Sequence, residues 1–254
     1  MNKMLRPIDC YDIYSDPTMY DIESSFEYDI PLYLELAESF GGPILELGSG
    51  TGRVTIPLAK AGHKMTGLDI SPPMVKRACD KATEQGVSVE FQVADCRNFS
   101  LERSFGLIIM PYNAIMHILD RPSYEALFAC VHKHLKPDGR FSFACFNPHE
   151  AWLYRDPDKR HPNFEYELPD GTPVVVTESN VYDKATQINH VRWYIKVGNK
   201  EEQVRELNMR QYYPEELEAI IHYNGFELET RYGDMDKGPF VSSSNHQICV
   251  CRPR

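Results

Sequence analysis

The sequence predicts an α/β protein: a mostly parallel sheet with helices on both faces, carrying an inserted antiparallel β flap. Three observations predict it. Between residues 43 and 147, apolar runs of strand length alternate with stretches of helical spacing, the pattern of a parallel sheet. The first apolar run leads into glycines at alternate positions, Gly48, Gly50 and Gly52, and then into a helical stretch. Such sheets bind ligands beyond the carboxyl ends of their strands. From about 164 to 212 the pattern changes to strands separated by the turn signals LPDG, YDKATQ and VGNK.

Each element follows in order. Residues 1–40 are rich in tyrosine and acid, and after Pro31 the apolar residues Leu32, Leu34, Leu36, Ala37 and Phe40 fall at helical spacing until Gly41-Gly42 stops them. PILELG is a short buried strand, and residues 53–61 are helical, ending at Gly62. HKMTGLDI is the second strand. Ser71-Pro72 reads as an N-cap followed by a first-turn proline, opening a helix to about Gln85. VSVEFQVAD alternates as a third strand, and FGLIIMPYN is a fourth, buried on both sides. Ser123 is expected to cap a helix to about Leu135, and KPDG to turn the chain into the fifth strand, RFSFACF. After the flap, with three or four strands, PEELEAIIHYNG is a helix, and GFELETRYG and HQICVCR are closing strands. The expected division is a helical cap over the active site (1–40), a core domain (41–148 and 213–254) and the inserted lid (149–212).

Composition narrows the function. Hydrophobic residues make up 42% and charged residues 25% of the 254, as in ordinary soluble domains. The net charge is −10 and no Lys/Arg run exceeds two residues, so DNA and other large polyanions are unexpected partners. No apolar stretch approaches the roughly 20 residues that span a bilayer, and the N-terminus lacks a signal-peptide core, so a cytoplasmic location is expected. Seven cysteines contain no CxxC pair and read as free thiols. No cation-binding constellation is visible, so no metal is expected.

The glycine stretch, ILELGSGTGR, fits neither nucleotide-phosphate pattern. A dinucleotide loop needs glycine at its sixth position, where Arg53 stands, and a phosphate loop needs a lysine that is missing. Alternate glycines leave one side of a turn bare, so a flat nucleoside can lie against backbone. Glu46 beside the turn would repel pyrophosphate and suit an ammonium or sulfonium charge. Asp69 ends the second strand, where a carboxylate accepts bonds from ribose hydroxyls. Asp95 ends the third. Three strand-end carboxylates with no phosphate partner point to a cationic nucleoside.

ILELGSGTGR, GLDISPPM and VADCRNF, in that order, resemble class I S-adenosylmethionine-dependent methyltransferases over roughly residues 30 to 147. The resemblance implies a Rossmann-like sheet of seven strands in the order 3-2-1-4-5-7-6, the seventh reversed. It implies S-adenosyl-L-methionine as cofactor and S-adenosyl-L-homocysteine as product. Gly48, Ser49, Gly50 and Gly52 would pack on the cofactor, with Glu46 by its amino group and Arg53 near its carboxylate. Asp69 would hold the ribose, and Ile70 and Met74 would cover the adenine. Ala94, Asp95 and Cys96 would read the adenine edge, and Tyr20, Met110 and Tyr112 would complete the site. Simpler roles stay open: Glu46 as a helix cap, Met74 as core, Arg53 in a surface ion pair.

The acceptor is less legible. Nucleic-acid amino methyltransferases place Asn or Asp, two prolines and an aromatic residue after the fourth strand. Here the order is Met110-Pro111-Tyr112-Asn113, which lacks that motif. His117 is suited to proton removal near neutral pH, and His149 is a second candidate. Of the N-terminal tyrosines Tyr11, Tyr14, Tyr20, Tyr28 and Tyr33, Tyr14 and Tyr20 are expected at the acceptor site, Tyr14 with His117 in a catalytic role. On the flap, Arg192 and Tyr194 should face one side and Trp193 the other, with Trp152 and Tyr154 nearby; one side roofs the site or forms a homodimer contact. The expected function is methyl transfer to nitrogen or oxygen of a small-molecule acceptor. The rivals are a protein or RNA methyltransferase, and a non-catalytic binder of the same cofactor.

Overall fold

The computed structural model describes residues 5–8 and 14–254; Cys10 and Tyr11 lie outside the described residues. In chain order the elements are α1 (Pro17–Glu23), α2 (Ile30–Phe40), β1 (Ile44–Leu47), α3 (Thr55–Lys60), β2 (Met65–Asp69), α4 (Pro72–Glu84), β3 (Glu90–Val93) and β4 (Phe105–Met110). A 3₁₀ turn at Ala114–His117 leads to α5 (Arg121–His134), β5 (Leu135–Phe146) and α6 (Glu150–Leu153). Then come β6 (His161–Glu167), β7 (Pro173–Asp183), β8 (Ile188–Val197), β9 (Gln203–Arg210), α7 (Pro214–Tyr223), β10 (Phe226–Tyr232) and β11 (His246–Pro253).

Seven strands form one sheet in the order β3-β2-β1-β4-β5-β11-β10. Counted along the chain, this is the expected 3-2-1-4-5-7-6. The first five strands pair in parallel, and β11 runs antiparallel to both β5 and β10. Every residue of β1 and β4 is buried. That is why both read as unbroken apolar runs: helices cover both faces of a parallel sheet. Alternate residues of β4 serve the two layers. Ile108 and Met110 pack with Phe128, Phe141 and Phe143, whereas Leu107 and Ile109 pack with Leu32, Tyr33 and Leu36 of α2. The approach of α2 is close: a Cβ on Gly106 would lie 2.3 Å from the carbonyl oxygen of Gly41.

The inserted segment forms a separate antiparallel sheet, β6-β7-β8-β9. Its three connections fall on LPDG, YDKATQ and VGNK, the turn signals read from sequence.

Two local expectations are corrected. α5 begins at Arg121, not Ser123: Asp120 is its N-cap and accepts the Ser123 backbone N–H at 2.9 Å, with proline in the first turn. KPDG is not a turn before β5. Phe105 pairs with Leu135 and Leu107 with Arg140, so residues 136–139 form an irregularity inside the strand. The six described cysteines are free thiols. Among the described residues, no helix is long and apolar enough to cross a membrane.

Candidate active site

The chain leaves β1 into the glycine loop, where Gly50 (φ 53°) and Gly52 (φ 80°) adopt left-handed backbone that side chains resist. The two serve different ends. A Cβ on Gly50 would face only Met74 Cε at 3.7 Å and Tyr20 Cε1 at 3.9 Å, so this glycine leaves a bare ledge across from two side chains. A Cβ on Gly52 would meet Ile56 Cδ1 at 2.9 Å and Phe91 Cζ at 3.1 Å, so that glycine lets α3 pack on the sheet. Asp69, at the end of β2, fixes the loop. One carboxylate oxygen accepts the Gly50 N–H and the other the Ser71 N–H, both at 2.8 Å. Burial raises its pKa, and these backbone bonds oppose the rise.

A slot opens over this ledge. Of the expected site residues it is lined by Tyr14, Tyr20, Glu46, Gly48, Ser49, Gly50, Arg53, Asp69, Ile70, Met74, Ala94, Cys96, Met110, Tyr112 and His117. Gly52 and Asp95 do not line it. Gly52 is taken up in packing, and Asp95 accepts from the backbone N–H of Arg97 at 2.9 Å and from its guanidinium at 2.7 Å. Sequence reasoning missed Ile8, Val54, Ala114 and Ile118, which are apolar residues among many, and Pro111, which lay in a quoted motif.

The charges in the slot are unequal. Glu46 is 3% exposed, and its carboxylate accepts the Thr55 hydroxyl. Burial pushes its pKa up to about 8, against the Thr55 bond and the nearby Arg53. Arg53 holds Asp29 with two nitrogens, at 2.5 and 2.7 Å, and also donates to the Phe26 carbonyl at 3.2 Å. Its guanidinium lies 4.3 Å from the Phe26 ring centre. Asp29 is fully buried. Arg53 is the one Lys or Arg among the described lining residues, and its charge is already matched. A polyphosphate finds no spare cation here, whereas a cationic ligand finds Glu46 and Asp69.

A second cavity of ≈ 690 Å³ adjoins the slot, and Tyr14, Tyr20, Tyr112 and His117 line both. The Tyr14 hydroxyl lies 3.0 Å from His117 Nε2, and the Tyr14 ring meets Tyr20 edge-on at 5.6 Å. The chamber walls come from distant segments: Glu23 at the end of α1 and Phe26 after it, Asn147 and His149 after β5, Glu178 and Trp193 on the antiparallel sheet, and His246 at β11. Trp152 and Trp193 line it; Tyr154, Arg192 and Tyr194 do not. Arg192 instead pairs with Glu206 across the strands. The tyrosine cluster also divides: Tyr33 is fully buried in the core, and Tyr28 is 52% exposed.

At the seam, Tyr112 (φ 48°) and Asn113 (φ 64°) are both left-handed without being glycine. Such backbone costs about 1–3 kcal/mol per residue and clusters at functional sites. It is held by the Asn113 N–H donating to the Ala144 carbonyl (3.1 Å) and the Met116 N–H donating to the Asn113 carbonyl (2.8 Å). Among the described residues, no group of three or more His, Cys, Asp or Glu is placed to hold a metal ion.

Comparison with known proteins agrees with this geometry. Residues 44–139 match the family model described as a methyltransferase domain. The cypemycin N-terminal methyltransferase of Streptomyces sp. is 27% identical over 148 residues, covering 54% of this chain and 60% of that one. Phosphoethanolamine N-methyltransferase 1 of Triticum aestivum is 35% identical over 101 residues, covering 39% of this chain and 20% of that one. The chain thus spans less than two thirds of the length of these curated relatives. Among solved structures, the CcbJ methyltransferase from Streptomyces caelestis superposes with a TM-score of 0.78 at 24% identity, over 89% of this chain and 90% of that one. CalS10, an amino pentose methyltransferase from Micromonospora echinaspora solved with S-adenosylmethionine, gives 0.70 at 16% identity, over 93% and 97%. At such identities the structures speak for the fold, while the matched domain carries the sequence relationship. Residues 44–139 are thus similar to a methyltransferase domain, and the chain shares the Rossmann-like fold of these methyltransferase structures, reversed last strand included.

Proposed function

We propose that the slot binds S-adenosyl-L-methionine and that the chain transfers a methyl group to nitrogen or oxygen of a small molecule held in the chamber. The observation that carries this is the meeting of the two cavities at Tyr14, Tyr20, Tyr112 and His117. The residues present fit the donor. The bare face of Gly50 gives an adenosyl group room between backbone, Met74 and Tyr20. Asp69 uses one lone pair of each oxygen on backbone, which leaves capacity for ribose hydroxyls. Glu46 suits the ammonium, and Ile70, Ala94 and the Cys96 amide suit the adenine. When bound, the cofactor supplies an electrophilic methyl carbon on a sulfonium.

The chain supplies position and a proton path. Tyr14 and His117 form a hydroxyl–imidazole pair where slot and chamber join. A proton leaving the acceptor passes to the Tyr14 oxygen as Tyr14's own proton passes to Nε2, a relay suited to neutral pH. The chamber carries Glu23 and Glu178 and, among its described lining residues, no Lys or Arg. That supports a small neutral or cationic acceptor over RNA. The amino pentose methyltransferase neighbour supports the same reading. A peptide amino terminus is the second reading, favoured by the cypemycin N-terminal methyltransferase.

The test is incubation with methyl-labelled cofactor and either a metabolite extract or a protein fraction. Label in the small-molecule fraction is expected. Label confined to polypeptide would favour the second reading. Cofactor binding without transfer to either would favour a non-catalytic binder.

A further inference from the structure

We infer that the acceptor carries an apolar, ring-bearing body, and that Trp152 and Trp193 form the wall that receives it. This rests on the methyltransferase reading above and leaves the reacting atom open. The chain has two tryptophans, and both line the chamber. Phe26, Phe146 and Phe164 line it with them. All five residues are partly exposed, so each keeps surface that an occupant can cover. None of the five lines the slot. These rings therefore serve the chamber alone, while Tyr14, Tyr20, Tyr112 and His117 mark the end where the methyl group arrives.

Buried polar contacts hold this wall in place. Trp152 donates its indole N–H to Glu178 at 3.0 Å, and its backbone carbonyl accepts from the Asn180 side chain at 3.2 Å. With Nε1 engaged, what Trp152 can offer a ligand is carbon. Glu178 is 6% exposed and also binds Arg155 at 2.7 Å and Asn163 at 3.1 Å. Glu178 on β7 stands opposite Trp193 on β8, so one buried carboxylate anchors Trp152 beside the strand pair that carries Trp193. Trp193 in turn meets Phe164 edge-on, with ring centres 5.4 Å apart.

Much of the polar lining is already paired within the protein. Asn147 gives a side-chain N–H to the Ser244 carbonyl at 2.9 Å, Asn163 gives one to Glu178, and Glu23 receives the Tyr166 hydroxyl at 2.9 Å. Tyr14 and His117 hold each other. The His246 ring lies 5.4 Å from the Phe146 ring, and burial lowers its pKa, so it stands neutral at pH 7. A polyol would set hydroxyl after hydroxyl against carbon, and a buried hydroxyl without a partner is costly. A phosphate ester finds no Lys or Arg among the described lining residues. An apolar ring needs no partner and gains by leaving water. The cavity, ≈ 690 Å³, has room for such a body together with the group to be methylated.

The test uses the full chain, with and without S-adenosyl-L-homocysteine, and three probes. They are 4-nitrobenzyl alcohol, a neutral aromatic that quenches indole emission on contact, and two polar compounds, D-glucosamine and O-phosphoethanolamine. Because both tryptophans line the chamber, tryptophan emission reports its occupancy, and calorimetry reads the binding of all three probes. Trp152→Phe and Trp193→Phe each keep a ring and leave a single emitter. The aromatic probe should bind saturably, quench both single-tryptophan proteins over the range in which calorimetry shows binding, and bind at least roughly 10-fold more tightly than either polar probe. Trp193→Ala removes the ring and should lose roughly 10-fold for the aromatic probe, against about threefold or less for Trp193→Phe. Polar probes that bind as tightly as the aromatic one, no saturable binding of the aromatic one, or binding that leaves both emitters unquenched would overturn the inference. So would a Trp193→Ala protein that melts as the parent does and binds the aromatic probe equally well. The two phenylalanine variants decide the matter even where the alanine variant does not fold. No uptake of S-adenosyl-L-homocysteine, beside saturable quenching by the aromatic probe, would instead sink the methyltransferase reading and leave the chamber's preference standing.

Discussion

The buried Glu46 makes donor binding a proton-counting experiment. In the ligand-free protein burial holds its pKa near about 8, against an ordinary 4.5. At pH 7 roughly nine-tenths of Glu46 is therefore protonated. An ammonium docking beside it requires the carboxylate, so binding expels that proton. The α-amino group of the donor titrates near about 8 itself and takes up roughly a tenth of a proton at pH 7. The net expectation is release of about 0.8 proton at pH 7, about zero near pH 8, and uptake of about 0.8 at pH 9. Titration calorimetry in buffers of different ionisation heat reads this number directly. Glu46→Gln cannot release the proton, so only the uptake should remain. No net release by the parent protein at pH 7, or equal release by Glu46→Gln, would refute the reasoning. Stability carries the same signature. The folded-state pKa is raised, so between roughly pH 4.5 and 8 the native state holds a proton that the unfolded state has lost. Stability should therefore fall as pH rises through that window, more steeply in the parent than in Glu46→Gln.

Other outcomes follow from single contacts. Gly50→Ala should cost about 1–2 kcal/mol of stability from its left-handed backbone, yet cut donor affinity by roughly 10-fold or more, because the methyl occupies the ledge. Gly52→Ala should instead lower the melting temperature further, since its methyl meets Ile56 and Phe91; melting curves and calorimetry on both variants separate the two roles. Asp29→Asn leaves the buried Arg53 charge uncompensated and should cost about 3–5 kcal/mol, seen as a loss of roughly 10 °C in thermal unfolding. Tyr14→Phe and His117→Ala should each lower kcat by roughly 10²- to 10⁴-fold, measured on the acceptor that the extract assay identifies.

The parallel half of the fold was legible because its strands are buried on both faces and cannot hide among polar residues, as β4 shows. The antiparallel sheet was legible through its turn chemistry, with LPDG, YDKATQ and VGNK at its three connections. Errors arose where tertiary demand reassigned a local signal. KPDG has turn composition, yet β5 continues through it to pair with β4 on one side and, farther along, β11 on the other. Asp120 was overlooked as a cap although it precedes a first-turn proline, the cue that located the start of α4. The donor slot was readable because one loop and three strand ends build most of it. Asp95 escaped that pattern because Arg97, two residues on, claims its carboxylate. The chamber was mostly illegible: Glu23, Asn113, Glu178 and His246 are far apart in sequence, and only the packing of α1 and the antiparallel sheet over the strand ends gathers them.

The central claim is that the slot accepts a cationic adenosyl donor and refuses phosphates. Equilibrium titration with S-adenosyl-L-methionine, in parallel with a nicotinamide dinucleotide and a nucleoside triphosphate, tests it most directly. Saturable binding of the sulfonium compound, weakened roughly 10-fold or more in Gly50→Ala and not displaced by the phosphates, is the result the account predicts. Binding of either phosphate compound with none of the sulfonium would contradict it.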